Sequence, residues 1–127
     1  VIGEDLGTVP NYVRKVLASH GVLGTVVEWF ARVDDSPNAG DPYDDPTNYR
    51  KYALASVTTH DLPPTAGYLQ FEHVQLRERL HLLTESVESF QASATAERQA
   101  MLNRLRTLGL ISDEEADDAD SHIPADC

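Results

Sequence analysis

The spacing of apolar residues changes several times along the chain, and each change predicts an element. Val1-Ile2 is a short apolar stub running into Gly3-Glu4-Asp5-Leu6-Gly7, and it reads as the end of a buried strand followed by a turn. Thr8 offers a hydroxyl cap and Pro10 a fixed φ ahead of Val13, Val16 and Leu17, whose i, i+3, i+4 spacing predicts a helix to about Ser19 with Gly21 as its stop. Residues 24–30 are β-branched and aromatic and suit a second buried strand. Residues 34–50 concentrate Asp, Pro, Asn and Gly, which compete with regular structure, so a long surface loop is expected there. Residues 52–59 predict a third short strand, closed by His60-Asp61 and stopped by Pro63-Pro64. From Glu72, the positions Leu76, Leu80, Leu83, Val87 and Phe90 recur at steps of three and four and predict one amphipathic helix. Residues 94–108 repeat the signal through Met101, Leu102, Leu105 and Leu108, with Gly109 ending it. From Ser112 the chain turns acidic and reads as a solvated tail, since an EF-hand loop would need a central Gly and alternating ligands.

Strand, helix, strand, long loop, strand, helix, helix is the order of an α/β protein with a parallel sheet, and each polar motif follows the carboxyl end of a strand. Active sites of α/β barrels sit at that end. With 127 residues, 41% hydrophobic, the chain has material for one small domain or for part of a larger one. It opens on Val1-Ile2-Gly3 without an initiator Met, and this apolar start reads as the interior of a longer protein.

Charge narrows the partners. Ten Lys+Arg against 21 Asp+Glu give a formal charge of -11, which repels nucleic acid and anionic membrane faces. There is no long apolar run and no basic-then-apolar leader, so no membrane partner is expected. The single cysteine, Cys127, allows no internal disulfide and fits a reducing cytoplasm.

Glu4-Asp5 and His60-Asp61 are the candidate chemistry. Acidic clusters after two strand stubs suit either a catalytic pocket or plain turn capping and surface solvation. A metal hydrolase built on His60, Asp61 and Glu4 would lack a second properly spaced histidine, so no metal is expected. His20, at a helix end, suits the dipole there.

The segment Gly3-Glu4-Asp5-Leu6-Gly7-Thr8-Val9-Pro10 is similar to the G/A-E-D-L-G-x-x-P segment of 4-α-glucanotransferases of the amylomaltase type. Thr58-Thr59-His60-Asp61-Leu62-Pro63-Pro64 resembles that family's T-x-H-D segment, and Phe30 and Asn48-Tyr49 stand between the two at matching places. The resemblance covers roughly residues 1–110 and implies a retaining α-glucan enzyme on a (β/α)₈ barrel, with about strands five to seven and their helices in this chain. On that division residues 1–74 belong to the barrel, residues 75–111 are its amphipathic helical region, and residues 112–127 are the acidic tail.

Carried over residue by residue, the resemblance makes Glu4 the acid/base and Asp61 the transition-state stabiliser. It makes His60 a sugar hydrogen-bond donor and Phe30 an aromatic platform for the acceptor sugar. For Asp5 and Asp34 two roles stay open, hydrogen bonding to sugars or holding the pocket. The carboxylates do all the bond chemistry, so no cofactor is implied. The implied partners are maltooligosaccharides and other α-1,4-glucans.

Nothing in the chain stands where the family's strand-four nucleophile would, since the Asp residues of the 34–45 loop follow the wrong strand. A barrel of this kind takes about 250 residues, so this chain cannot close one. The isolated chain is therefore expected to be inactive and, with apolar barrel surface at Val26 and Val57 uncovered, to self-associate. The alternative from another class is a non-catalytic α-glucan-binding or interaction segment, in which Phe30, Trp29 and the tyrosines hold sugars and nothing reacts.

Overall fold

A computed structural model of the chain describes residues 1–7, 9–33 and 38–121, other than the side chains of Asn11, Asp120 and Ser121. The expected cap Thr8, the candidate Asp34, His122 and Cys127 lie outside the described residues. The chain forms two compact units, one of residues 1–31 with 44–62 and one of residues 32–43 with 63–127.

The first unit is built on parallel pairing. Ile2 bridges Leu23 in parallel. Strand β1 (Gly24–Val27) pairs in parallel with β2 (Ala53–Ser56), Gly24 opposite Ala53 and Val27 opposite Ser56. Helix α1 (Asn11–Ser19) connects the Ile2 segment to β1 and packs on it, which makes a strand-helix-strand crossover. Val13 and Leu17 are its half-buried positions, and Gly21 ends it at φ 69, a left-handed conformation that glycine adopts without strain.

The predicted strand over 24–30 ends early. After Val27 the chain makes a single 3₁₀ turn, Glu28–Phe30. The Ala31 N–H closes this turn on the Glu28 carbonyl at 3.1 Å, and the Tyr49 hydroxyl donates to the Glu28 carboxylate. Trp29 and Phe30 have the side chains of strand residues, but β propensity reflects a packed surface, and Phe30 stands 57% exposed. The third strand is likewise shorter than residues 52–59. The long loop owes its shape to local side-chain bonds, as expected: Asp44 accepts from the Asp45 N–H and the Asn48 side chain, and Asp45 accepts from the Thr47 N–H, each at 2.8 Å. Leu54 and Val57 of the β2 segment are each about half exposed.

The second unit is helical, with α2 (Thr65–Leu69), α3 (Glu72–Arg79), α4 (Val87–Thr107) and α5 (Asp113–Ser121). Its core joins Phe71, Val74 and Ala94, with Phe90 packed against them. The Glu97 carboxylate takes both the Tyr68 hydroxyl and the Arg32 guanidinium, and Arg32 lies 3.7 Å over the Tyr43 ring. No helix among the described residues is long and apolar enough to cross a membrane.

Two expectations for this unit are corrected. The single helix predicted from Glu72 to Phe90 breaks after α3, where His81 takes a left-handed φ of 55 and its N–H returns to the Glu78 carbonyl. Ser86 then caps α4 by accepting from the Ser89 N–H at 3.1 Å. Leu80 and Leu83 kept the helical spacing alive across the break, although Leu80 is 52% exposed and Leu83, half-buried, lies outside both helices. The expected acidic tail is helical from Asp113. Ser112 and Glu115 form a reciprocal capping box, since the Ser112 N–H donates to Glu115 and the Glu115 N–H to the Ser112 hydroxyl. Arg106 pairs with Asp113 and Asp117, and Ala116 is buried, which together anchor α5.

Candidate active site

Parallel strands end at the same edge of a sheet. In the first unit, Glu4 follows the Ile2 segment, Glu28 and Phe30 follow β1, and His60 and Asp61 follow β2. The topology therefore gathers these residues at one edge of one unit. Asp34 lies outside the described residues, so only five of the six candidates can be located.

The way Glu4 leaves the sheet is set by Asp5. The ladder begins regularly, with the Leu23 N–H donating to the Val1 carbonyl at 3.0 Å and the Gly3 N–H to the Leu23 carbonyl at 2.8 Å. The next rung would join the Thr25 N–H to the Gly3 carbonyl. Instead the Thr25 N–H donates to Asp5 Oδ1 at 2.8 Å, while the Gly3 carbonyl accepts from the Thr25 hydroxyl at 3.0 Å. The Asp5 carboxylate thus replaces a strand residue, and the chain diverges with Glu4 exposed and Asp5 buried.

Asp5 is held by more than the strand. Its side chain is 2% exposed, and Arg50 forks onto it, Nη1 to Oδ2 at 2.7 Å and Nη2 to Oδ1 at 3.1 Å. Arg14 adds a charge with Nε 3.4 Å from Oδ2. Burial alone would raise the carboxyl pKa, but the Arg50 guanidinium outweighs it and lowers the value from 3.8 to about 2. A depressed folded-state pKa gives stability that is present above about pH 4 and lost as pH falls through about 2. At one pKa unit per 1.36 kcal/mol, that is worth roughly 2 kcal/mol. Asp5→Asn should therefore lower the unfolding free energy at neutral pH, and the gap from the parent should shrink in acid. Denaturant curves of both proteins over this range check it, and a gap that is constant with pH would contradict it.

Asp61 is presented differently. Its N–H reaches the Thr59 hydroxyl at 3.3 Å, and the Leu62 N–H donates to the Thr59 carbonyl at 3.2 Å, so a tight turn ends the β2 segment. The Asp61 side chain is 75% exposed, and His60 Nε2 lies 3.2 Å from its Oδ1. An exposed carboxylate with a ring N–H beside it can accept hydrogen bonds from hydroxyl groups of a ligand. Phe30 offers an apolar ring face at the same edge.

Sequence reasoning missed Glu28, Arg14, Arg50 and Gly24. A Cβ on Gly24 would sit 2.5 Å from Arg50 Nη1, so the glycine leaves the space that the guanidinium fills. A concavity of about 620 Å³, lined among others by Leu17, Gly21, Leu23 and Tyr52, lies at the amino ends of β1 and β2, the end away from Phe30 and Asp61. Among the described residues no cluster of three or more His, Cys, Asp or Glu side chains is arranged to hold a metal ion.

The chain is similar to known proteins over nearly its whole length. The 4-alpha-glucanotransferase family profile matches residues 1–123. A 4-alpha-glucanotransferase of Mycobacterium tuberculosis is 48% identical over 125 residues, covering 98% of this chain and 17% of that protein. One from Haemophilus influenzae is 32% identical over 107 residues, covering 83% of this chain and 14% of its own length. The crystal structure of amylomaltase from Corynebacterium glutamicum superposes with a TM-score of 0.79 at 37% identity, over 98% of this chain and 17% of that one. The chain thus spans about a sixth of the length of these relatives.

Proposed function

The chain belongs to the 4-alpha-glucanotransferase family, and from that premise we propose that the intact enzyme carrying this segment moves α-1,4-glucan segments between maltooligosaccharides with retention of configuration. In this reading the Ile2 segment, β1 and β2 are the fifth, sixth and seventh strands of an eight-stranded barrel, and the chemistry occurs at their carboxyl edge. The enzyme works in the cytoplasm, in keeping with the chain's single cysteine.

Glu4 acts as the acid that protonates the departing glycosidic oxygen, then as the base that draws a proton from the incoming sugar hydroxyl. Retention needs a second carboxylate about 5 to 5.5 Å away to attack the anomeric carbon, and that group comes from outside these 127 residues. Asp61 accepts hydrogen bonds from ring hydroxyls, and these strengthen as the sugar flattens toward an oxocarbenium ion. His60 donates to the sugar beside it. Of the two roles open to Asp5, holding the pocket is the one its buried, fully engaged carboxylate supports. Asp34 remains a candidate for sugar binding on the family resemblance alone.

The observation that carries the reading is the split within the Glu4-Asp5 pair. One carboxylate is exposed just past the Ile2 segment, and its neighbour is locked by two arginines and a strand N–H. Incubation of the intact enzyme with maltotriose should give glucose together with longer maltooligosaccharides, the new products having the α configuration by NMR. Binding without any product would favour the non-catalytic reading.

Phe30 provides a finer test. An aromatic platform that holds the acceptor sugar is worth about 1 kcal/mol, so Phe30→Ala should raise the ratio of hydrolysis to transfer roughly fivefold. Reducing-end release measured against chain lengthening reads this ratio, and an unchanged partition would remove Phe30 from the acceptor site.

A further inference from the structure

We propose that Arg50 is a positioning residue for the transfer reaction, holding the Glu4-Asp5 turn at the strand edge with a fork that a guanidinium can make only by lying over a glycine. The inference deepens the proposed function and rests on Glu4 acting there as the acid.

The wiring of the turn is the basis. Once the ladder stops at Gly3, no backbone bond to β1 holds Glu4, and the residue that returns to the sheet is Asp5 through its side chain. Arg50 supplies two of that carboxylate's bonds and donates from Nη2 to the Thr25 carbonyl at 2.6 Å. A single side chain from just ahead of β2 therefore joins the departing turn to the middle of β1. Asp5 and Arg50 are 45 residues apart, so the bond fixes the turn relative to the strand pair and not merely to its own neighbours.

Chemistry selects arginine for this position. The bidentate grip on Asp5 together with a third bond to a carbonyl needs a planar fork with several donors, and a lysine ammonium of the same charge has no such geometry. Gly24 makes the fit possible. A Cβ there would approach Nη1 to 2.5 Å and Cζ to 2.9 Å, and the guanidinium could make room only by leaving Asp5 or Thr25. Arg14 is no substitute, because it meets Oδ2 through Nε alone at 3.4 Å.

A residue that only stabilised the fold would slow every variant of the enzyme alike, whereas one that holds the acid in place acts through Glu4. The test is a double-mutant cycle on maltotriose turnover in the intact enzyme, with Arg50→Ala, Glu4→Gln and the pair together. Arg50→Ala is expected to lower kcat about 10²-fold with KM little changed, the scale on which a misplacement near 1 Å acts. In the Glu4→Gln background the same substitution should have almost no further effect. Equal loss in both backgrounds would overturn the positioning role and leave Glu4 as the acid. If Glu4→Gln turned over maltotriose at the parent rate, the acid assignment would fail and take this inference with it. Should Arg50→Ala not fold, Gly24→Ala takes its place in the cycle and is expected to give the same pattern, with thermal unfolding run on each variant. A Gly24→Ala enzyme with full kcat would also overturn the proposal.

Discussion

Replacing Glu4 by glutamine in the intact enzyme is expected to slow transfer from maltotriose by roughly 10²- to 10⁴-fold, the scale of general acid–base catalysis. The sugar oxygen that departs from an α-1,4 bond is a poor leaving group unless it receives a proton as the bond breaks. Glutamine keeps the length and shape of the side chain but has no acidic proton, so binding should persist while chemistry slows. The loss belongs in kcat, with KM close to that of the parent. Glu4 is exposed in this unit, so the exchange buries nothing and should leave stability nearly unchanged. Steady-state disproportionation with thermal unfolding alongside measures both, and a variant that was slow only because it was unfolded would show it in the second measurement.

Asp61→Asn should cost roughly 10²- to 10³-fold in kcat, the usual scale for removing one preorganised electrostatic group. In the proposed role its carboxylate faces positive charge that develops on the ring, and an amide of the same shape offers a carbonyl and an N–H₂ where two acceptors stood. The contact strengthens only as the transition state forms, so KM should move little. The loss should also be independent of the leaving group, because the hydrogen bonds act on the sugar ring whichever group departs. Substrate analogues with leaving groups of different basicity measure this. A loss that grew with leaving-group basicity would assign Asp61 to proton transfer instead.

The parallel strand order was legible in the sequence, because short apolar runs separated by a helix and a long loop imply crossover connections. The expected burial of the first and third runs was not met, since Val1, Ile2, Leu54 and Val57 are about half exposed or more. What could not be read were the ends of elements and the long-range bonds. Residues 28–30 look like strand by composition, and the Tyr49 hydroxyl on Glu28 and the closure at Ala31 hold them in a 3₁₀ turn instead. The break after α3 hides in a leucine pattern that continues past the helix end through Leu80 and Leu83, while the signal that mattered was Ser86. The α5 capping box, Ser112 with Glu115, was visible in the sequence but obscured by the mass of acidic residues around it. The sequence leaves Asp5 between two roles because its partners Thr25 and Arg50 are 20 and 45 residues away, and no local pattern links them. A buried carboxylate and an exposed one look alike in sequence when they are neighbours.

The most direct measurement of the central claim is single-turnover formation of the glycosyl-enzyme by intact Glu4→Gln, with maltotriose and with a glycosyl fluoride as donors. Fluoride departs without a proton, so the account predicts a large defect on maltotriose and a first step largely restored on the fluoride. Equal slowing with both donors would contradict it and remove Glu4 from the role of acid.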